Sequence, residues 1–322
     1  MQPVISIKAD QSQLDALANS CGVFVWDAAT IVSHKGPDAL DLLHRLTTKD
    51  LLSVKPGHSR RTALTSDKGR VVDVFLVANT LEPEHDLLLV SDSPNSERLI
   101  SAIDYFTIIE DAELSDMSAS HTRISLVGPN ALKTASSVFE ISVEVDISTI
   151  YSLGDDLVEL ISDSSRGNEW VDIIFKNENL PMILGMITAA GAAEIDSANF
   201  ELFRIDNEIP GSDKEYGEHS NPIEAGLLDL IDWDKGCYVG QEVIARLDAY
   251  DKVQRNVKVL KSEMPLEEGV KLTNDGKPAG VVTSASALQT ESGEFLSLAL
   301  VRKAFLDSAT VLDAGGIEAT VR

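Results

Sequence analysis

The octapeptide Lys235-Gly236-Cys237-Tyr238-Val239-Gly240-Gln241-Glu242 holds the densest set of chemically capable side chains in this sequence. Its centre is a thiol, Cys237, set among glycines that tolerate backbone angles other residues avoid. Lys235 places a positive charge two residues away, and the pattern predicts a helix from Gln241 to Leu247 whose N-terminus would favour a thiolate. Such a cysteine can attack an electrophile or ligate a metal transiently, but one thiol cannot hold a metal cluster alone. The competing reading is a buried cysteine acting as a small hydrophobe, the usual role of a solitary Cys. Eight residues before Lys235 ends the run Pro222-Ile223-Glu224-Ala225-Gly226-Leu227, which contributes one carboxylate, Glu224.

Several chemistries lose ground because their residues are missing. There is no Walker-type lysine loop, no G-x-G-x-x-G, no G-x-S-x-G elbow and no H-E-x-x-H. The six histidines (34, 44, 58, 85, 121, 219) are dispersed and read as surface or structural residues; no metal site is expected. Two cysteines far apart, Cys21 and Cys237, support neither a disulfide framework nor a zinc or iron–sulfur motif, and fit a reducing cytoplasm. The net charge of −25 opposes non-specific binding to nucleic acid or anionic membranes. One island breaks that pattern: between His44 and Arg70 stand seven basic residues (Arg45, Lys49, Lys55, Arg60, Arg61, Lys68, Arg70) against Asp50 and Asp67. It reads as an ordinary solvated face or as a landing site for an anionic ligand tail or an acidic partner. The segment from Met1 to Lys8 lacks a leader pattern, and the apolar stretch near 180–193 is too short to span a bilayer, so neither export nor membrane insertion is expected.

The elements that must position these residues mix helix and strand. Ala39, Leu42, Leu43 and Leu46 recur at helical spacing behind Pro37, predicting an amphipathic helix over Asp38 to Leu46. Leu99, Ile100, Ile103 and Phe106 repeat the spacing, and Ala131 to Phe139 follows Gly128-Pro129 as a further helix. Val71 to Ala78, Asp86 to Ser91, Arg123 to Val127, Leu157 to Ile161 and Trp170 to Phe175 read as strands. Without regular βαβ alternation the class is α+β. After Tyr250 helical patterns fade and turn signals recur at Glu268-Gly269, Asn274-Asp275-Gly276, Ser292-Gly293 and Gly315-Gly316, predicting a small barrel or sandwich. The expected organisation is a main region over 1–250 and a C-terminal β domain over 251–322.

The octapeptide resembles the K-G-C-Y-x-G-Q-E signature of the YgfZ group of folate-binding proteins, relatives of the glycine-cleavage T-protein (aminomethyltransferase), with every fixed position matched. The resemblance extends through Gly36-Pro37-Asp38-Ala39, Leu46-Thr47-Thr48-Lys49-Asp50, Ser66-Asp67-Lys68-Gly69-Arg70 and Gly280-Val281-Val282-Thr283-Ser284. It implies two interleaved α+β subdomains around a central folate opening, closed by a C-terminal β-barrel. It also implies tetrahydrofolate as cofactor and support of iron–sulfur cluster assembly or repair, with iron–sulfur proteins or assembly factors as partners, including enzymes that modify tRNA. The alternative is a tetrahydrofolate-dependent one-carbon transferase of the aminomethyltransferase type.

The same resemblance assigns residues. Cys237, Lys235 and Asp73 carry the chemistry; Glu224, Tyr238, Gln241, Glu242 and Arg246 contact the cofactor. Glu224 matches a glutamate that meets folate in the relatives, where a carboxylate accepts two parallel hydrogen bonds from the pterin ring N–H and 2-amino group. Arg246 either bridges Glu242 along the helix or meets a carboxylate of the folate tail. Asp73 falls at the T-protein's paired aspartates, but the second position is Val74, which weakens the one-carbon-transfer alternative. Ser212-Asp213 stands where relatives carry Tyr-Gly after Ile209-Pro210, while Tyr216-Gly217 follows four residues later, so the pocket is expected to lack one aromatic wall. The basic island, through Arg60-Arg61 and Lys68-Gly69-Arg70, is expected to form a track for the acidic folate tail.

Overall fold

The computed structural model describes residues 7–81 and 86–322; Met1 to Ser6, within the segment read above for a leader, and His85 lie outside the described residues. The chain begins with β1 (Ile7–Lys8) and α1 (Gln11–Asn19), then lays down β2 (Gly22–Val25). Next it completes an antiparallel sheet from β3 (Thr30–Lys35), β4 (His58–Thr65), β5 (Val71–Asn79), β6 (Leu87–Ser91) and β7 (Glu113–Asp116), ordered β4-β5-β6-β3-β7. Two helices, α2 (Ala39–Leu46) and α3 (Ser96–Asp104), are embedded in that stretch. Only then does the chain return to β2, adding β8 (His121–Val127), β9 (Ser148–Leu153), β10 (Asp156–Ser162), β11 (Trp170–Lys176) and β12 (Ala193–Glu194) in the order β12-β2-β8-β11-β10-β9. This sheet carries α4 (Ala131–Phe139) and α5 (Leu180–Ala189). One α+β subdomain is thus inserted into the sequence of another.

Alternation explains why β5 and β6 read as continuous apolar runs. Odd residues Phe75, Val77, Leu87 and Leu89 pack under Leu42, Leu43 and Leu46 of α2 and Leu99 and Ile103 of α3. Even residues Leu76, Ala78, Leu88 and Val90 meet Ile161 and Ile174 of the second sheet. A strand covered on both faces has no polar face to display. Each leucine of the α2 stripe contributes about 1.5–3 kcal/mol by its burial. Helix α3 ends at Asp104, so Phe106 falls in the turn beyond it.

Ion pairs join the two sheets where apolar contact stops. Arg123 on β8 grips Asp172 on β11 through two bonds of 2.9 Å and reaches Asp92, just after β6, at 2.8 Å. Arg166 also holds Asp92, at 2.8 Å, and Arg61 on β4 holds Asp163 at 2.5 Å. Arg123 and Arg166 lie over the rings of Trp26 and Trp170. Burial pushes the Asp92 carboxyl up, but the guanidiniums of Arg166, Arg123 and Arg61 override it and hold that carboxyl well below the usual carboxylate range. Three arginines and three aspartates compensate one another, and removing any one leaves the buried cluster with a net charge.

The remainder of the chain comprises α6 (Ser197–Asp206), α7 (Gln241–Ala249) and strands β13 (Arg255–Ser262), β14 (Lys271–Asn274), β15 (Lys277–Gln289), β16 (Phe295–Arg302), β17 (Val311–Ala314) and β18 (Glu318–Val321). Their order β15-β14-β17-β18-β13-β16 closes through a β15–β16 pairing, making a six-stranded barrel with β1 added parallel to β15. The hairpin signals in the sequence sit at the tight turns: Asp275 and Gly276 adopt φ of +49° and +73°, and Gly315 and Gly316 +68° and +95°. The chain divides into two compact units. One contains the described residues up to Leu14 with Asp196–Leu228 and Glu242–Arg322; the other contains Asp15–Ile195 and Asp229–Gln241.

Candidate functional site

Within the second unit, three segments distinguished by sequence converge. Lys235 donates from Nζ to the carbonyl oxygens of His44 (2.6 Å), Thr47 (2.6 Å) and Lys49 (2.8 Å). The His44 and Thr47 carbonyls lie in and just past the last turn of α2, where helix carbonyls lack internal partners and a cation is favoured. Burial pushes the Lys235 amine down to about 8 against the attraction of Asp50 and Asp232. Sequence reasoning placed this charge beside the thiol as an activator; the ammonium instead fastens the octapeptide to the end of α2 and lies 5.2 Å from the Tyr238 ring centroid.

The octapeptide's far end is fastened to the β4–β5 turn. Val239 accepts from Thr65 Oγ1 and donates to the Arg45 carbonyl at 3.2 Å. Gly240 has φ +84°, and a Cβ there would stand 2.4 Å from the Ser66 carbonyl oxygen and 3.0 Å from Gly69 Cα. The signature glycine is therefore required twice, by its dihedral and by the Ser66–Gly69 turn against it. Between these anchors Tyr238 is buried, which pushes its phenol up to about 12, and Gln241 is half-buried with its N–H on the Tyr238 carbonyl at 3.2 Å. Cys237 is exposed, whereas Cys21 is 2% exposed and burial pushes its thiol up. Helix α7 starts four residues after Cys237. The fold fixes both flanks of the octapeptide and presents its sulfur to solvent.

Asp73 lies on β5 in the same unit, entirely without solvent contact. Its Oδ1 accepts from Ser91 Oγ and the Val74 N–H, both at 2.7 Å, while Oδ2 has no hydrogen-bond partner. Burial pushes this carboxyl up to about 6, opposed by the two hydrogen bonds and by Arg98.

Glu224 belongs to the other unit. It is 5% exposed, and its carboxylate accepts from Arg255 Nη2 at 3.1 Å and Nε at 3.4 Å. Asn221 Oδ1 caps the Ile223 and Glu224 N–H groups, and the Glu224 carbonyl takes the Val257 N–H, so the backbone is fixed on both sides. Glu242 and Arg246 on α7 are exposed and form no ion pair with each other among the described residues. Arg255 was missed by sequence reasoning. It sits 31 residues from Glu224 at the first position of a strand whose alternation was visible, and only tertiary pairing reveals its role.

Two further motifs also find physical reasons in this unit. Glu215, fully buried, accepts from Arg204 Nη1 (2.9 Å), the Gly211 N–H (2.7 Å), Thr283 Oγ1 and Ser284 Oγ (both 2.6 Å). The Gly280–Ser284 motif thus supplies hydroxyls to a buried carboxylate, and its glycine lets β15 approach the Leu300 carbonyl, which a Cβ would meet at 2.4 Å. Tyr216, next to Glu215, is buried, and Ser212 pairs with it through an isolated bridge.

The basic island does not act as one surface. Arg45 pairs with Asp41 and Glu110, Lys49 with Asp232, and Arg61, expected on a solvent track, is 5% exposed and paired to Asp163. Lys68 and Arg70 flank the β4–β5 turn, while Arg60 and Arg61 lie about five residues back along β4, roughly 17 Å at strand rise. Among the described residues no group of three or more His, Cys, Asp or Glu is arranged to hold a metal ion, and no helix is long and apolar enough to cross a membrane.

Comparison with known proteins agrees with this architecture. A family model described as "GCVT N-terminal domain" matches residues 6–235. A putative chloroplastic transferase of Arabidopsis thaliana is 27% identical over 298 residues, covering 91% of this chain and 68% of that protein. An aminomethyltransferase of Moorella thermoacetica is 28% identical over 322 residues, covering 94% of this chain and 83% of that one. The crystal structure of glycine cleavage system aminomethyltransferase T from Bartonella henselae superposes with a TM-score of 0.80 at 17% identity, covering 97% of this chain and 87% of that one, a likeness of fold.

Proposed function

This chain belongs to the GCVT N-terminal domain family, and from that premise we propose that it binds tetrahydrofolate and, as a YgfZ-type member, supports iron–sulfur cluster assembly or repair through Cys237. The observation that carries the reading is the state of Glu224. It is 5% exposed, its backbone is pinned by Asn221 and Val257 and its carboxylate is held by Arg255, and a carboxylate fixed in this way is the group that accepts two parallel hydrogen bonds from the ring N–H and 2-amino group of a pterin. When bound, the folate supplies a carrier for a one-carbon unit. Glu224 orients the ring and Arg255 holds its carboxylate, with Glu242 and Arg246 of the same unit as the further contacts the resemblance implies. The cluster, or a fragment of it, is cargo: Cys237 offers one exposed sulfur from a loop fixed at both ends, enough to ligate transiently and too little to retain it. Client proteins, including cluster enzymes that modify tRNA, would meet the protein at that loop. A strain lacking the gene, assayed for iron–sulfur enzyme activities and complemented with wild type or Cys237→Ser, tests this role. Full rescue by the serine variant contradicts it.

A second reading is one-carbon transfer of the aminomethyltransferase type, in line with the descriptions of the relatives. It is favoured by Asp73, whose carboxyl at about 6 and unpartnered Oδ2 give it a proton affinity suited to base chemistry. Its complete burial and the presence of Val74 beside it weigh against that role. Turnover of an aminomethyl donor with tetrahydrofolate, abolished in Asp73→Asn, would establish it.

A further inference from the structure

A cleft of about 580 Å³ in the second unit lies apart from the octapeptide, beside the middle of β4 and between the segments that bridge its outer edge at His58 and Leu64, and is lined by Lys49, Arg60, Arg61, Asp163, Ser165 and Asp232 among others. Most of its polar groups are already satisfied. Lys49 holds Asp232 at 2.6 Å, and Asp232 also takes the Asp50 N–H at 2.8 Å. Asp163 accepts from Arg61 and from the Ser165 N–H and hydroxyl. The lining hydroxyls of Ser59, Ser164 and Ser165 each donate to a protein oxygen. Among its cations, two guanidiniums stand out. Arg61, 5% exposed, keeps Nη2 without a hydrogen-bond partner. Arg60 donates to the uncharged Asp50 carbonyl and Ser53 hydroxyl and bonds no carboxylate among the described residues, though its charge also acts on nearby Asp232.

Adjacent strand residues ordinarily face opposite sides. Here β4 is an edge strand, and both arginines line one cleft. A guanidinium that meets only neutral acceptors is matched by an oxyanion, because charge-assisted N–H bonds to carboxylate or phosphate are the strongest such a fork makes. The geometry points to this cleft as a ligand site for the carboxylate or phosphate end of a small molecule, held by Arg60 with the buried Arg61 guanidinium in the wall behind it. The volume falls within the roughly 300–1,000 Å³ of small-molecule pockets, so it admits more than a bare ion. Asp146 and Asp229, which also line the cleft, oppose an anion. Binding is therefore short-ranged and sensitive to salt. The acidic tail of a folate, the source suggested by the function proposed above, and a phosphorylated metabolite share this chemistry.

Calorimetric or NMR titration of the full chain with γ-glutamylglutamate and with inorganic phosphate at low ionic strength tests the site. At least one probe should bind wild type with Kd below about 1 mM. Arg60→Gln should weaken it about tenfold, the loss of one charge-assisted bond. Asp229→Asn should tighten it about threefold by removing an opposing charge. Arg61 is left in place, because its removal would strand Asp163. A preference for the peptide assigns an acidic tail, and a preference for phosphate assigns a phosphorylated ligand. Equal binding by wild type and both variants, or saturation only at tens of millimolar, would mean an adventitious ion only and overturn the site. Tetrahydrofolate run in parallel separates the two ideas: if it binds and neither probe does, the cleft fails and the folate reading stands; the reverse result leaves the cleft and removes the folate.

Discussion

Replacing Asp73 by Asn should stabilise the protein at neutral pH relative to acid, by an amount the structure sets. In the fold the carboxyl has two donors on Oδ1 and nothing on Oδ2, and burial raises its pKa from 3.8 to about 6. A raised carboxyl pKa means that the native state binds a proton which the unfolded state has released. The stability this contributes is complete below pH 3.8 and lost as pH rises through about 6. Two pKa units correspond to roughly 3 kcal/mol in full, of which about 2 kcal/mol lies between pH 4.5 and 7.5. Asparagine resembles the protonated acid in shape and keeps an acceptor for Ser91 and Val74, so any cost of its unpartnered amide is the same at both pH values. Urea unfolding of both proteins at the two pH values isolates the effect. The stability difference, variant minus wild type, should move by about 2 kcal/mol in favour of the variant at pH 7.5. A difference independent of pH would show that Asp73 is ionised throughout, and that water or an unrecognised cation reaches Oδ2.

The octapeptide supports three further expectations. Iodoacetamide should label exposed Cys237 well ahead of buried Cys21 in the native protein, and peptide mapping that finds equal labelling would contradict the placement of both sulfurs. Gly240→Ala should lose at least about 2 kcal/mol in urea unfolding, since a left-handed dihedral and the Ser66 carbonyl both exclude a Cβ. Lys235→Met keeps the length of the side chain and removes three hydrogen bonds to carbonyls in and just past the end of α2, so roughly 2–4 kcal/mol should be lost. Faster Cys237 labelling in that variant would report the loosened loop, whereas slower labelling with unchanged stability would revive the idea of Lys235 as a thiol activator.

What the sequence disclosed and what it concealed follow from physical range. The α2 stripe, the β5 and β6 runs and the barrel's glycine turns are set by neighbours within a few residues, and each was readable. Strand β4 was not, because His58, Ser59, Arg60 and Arg61 look like solvated surface; only Asp163, 102 residues away, makes a buried Arg61 tolerable. The same blindness turned the basic island into a supposed continuous track. Helix α6 escaped notice because Arg204 interrupts its apolar pattern, and its partner Glu215 lies outside the helix. The octapeptide was visible through its glycines and cysteine, yet the function of Lys235 depended on carbonyls about 190 residues earlier, beyond any local pattern.

The central claim, that Glu224 receives a pterin, is tested most directly by calorimetric titration of tetrahydrofolate into wild type and Glu224→Gln, with melting temperature confirming that the variant remains folded. Glutamine presents an amide donor where the ligand also donates, so the affinity should fall by roughly 2–4 kcal/mol, a factor of about 30 to 1,000 in Kd. An unchanged Kd, or no binding by the wild type itself, would contradict the account.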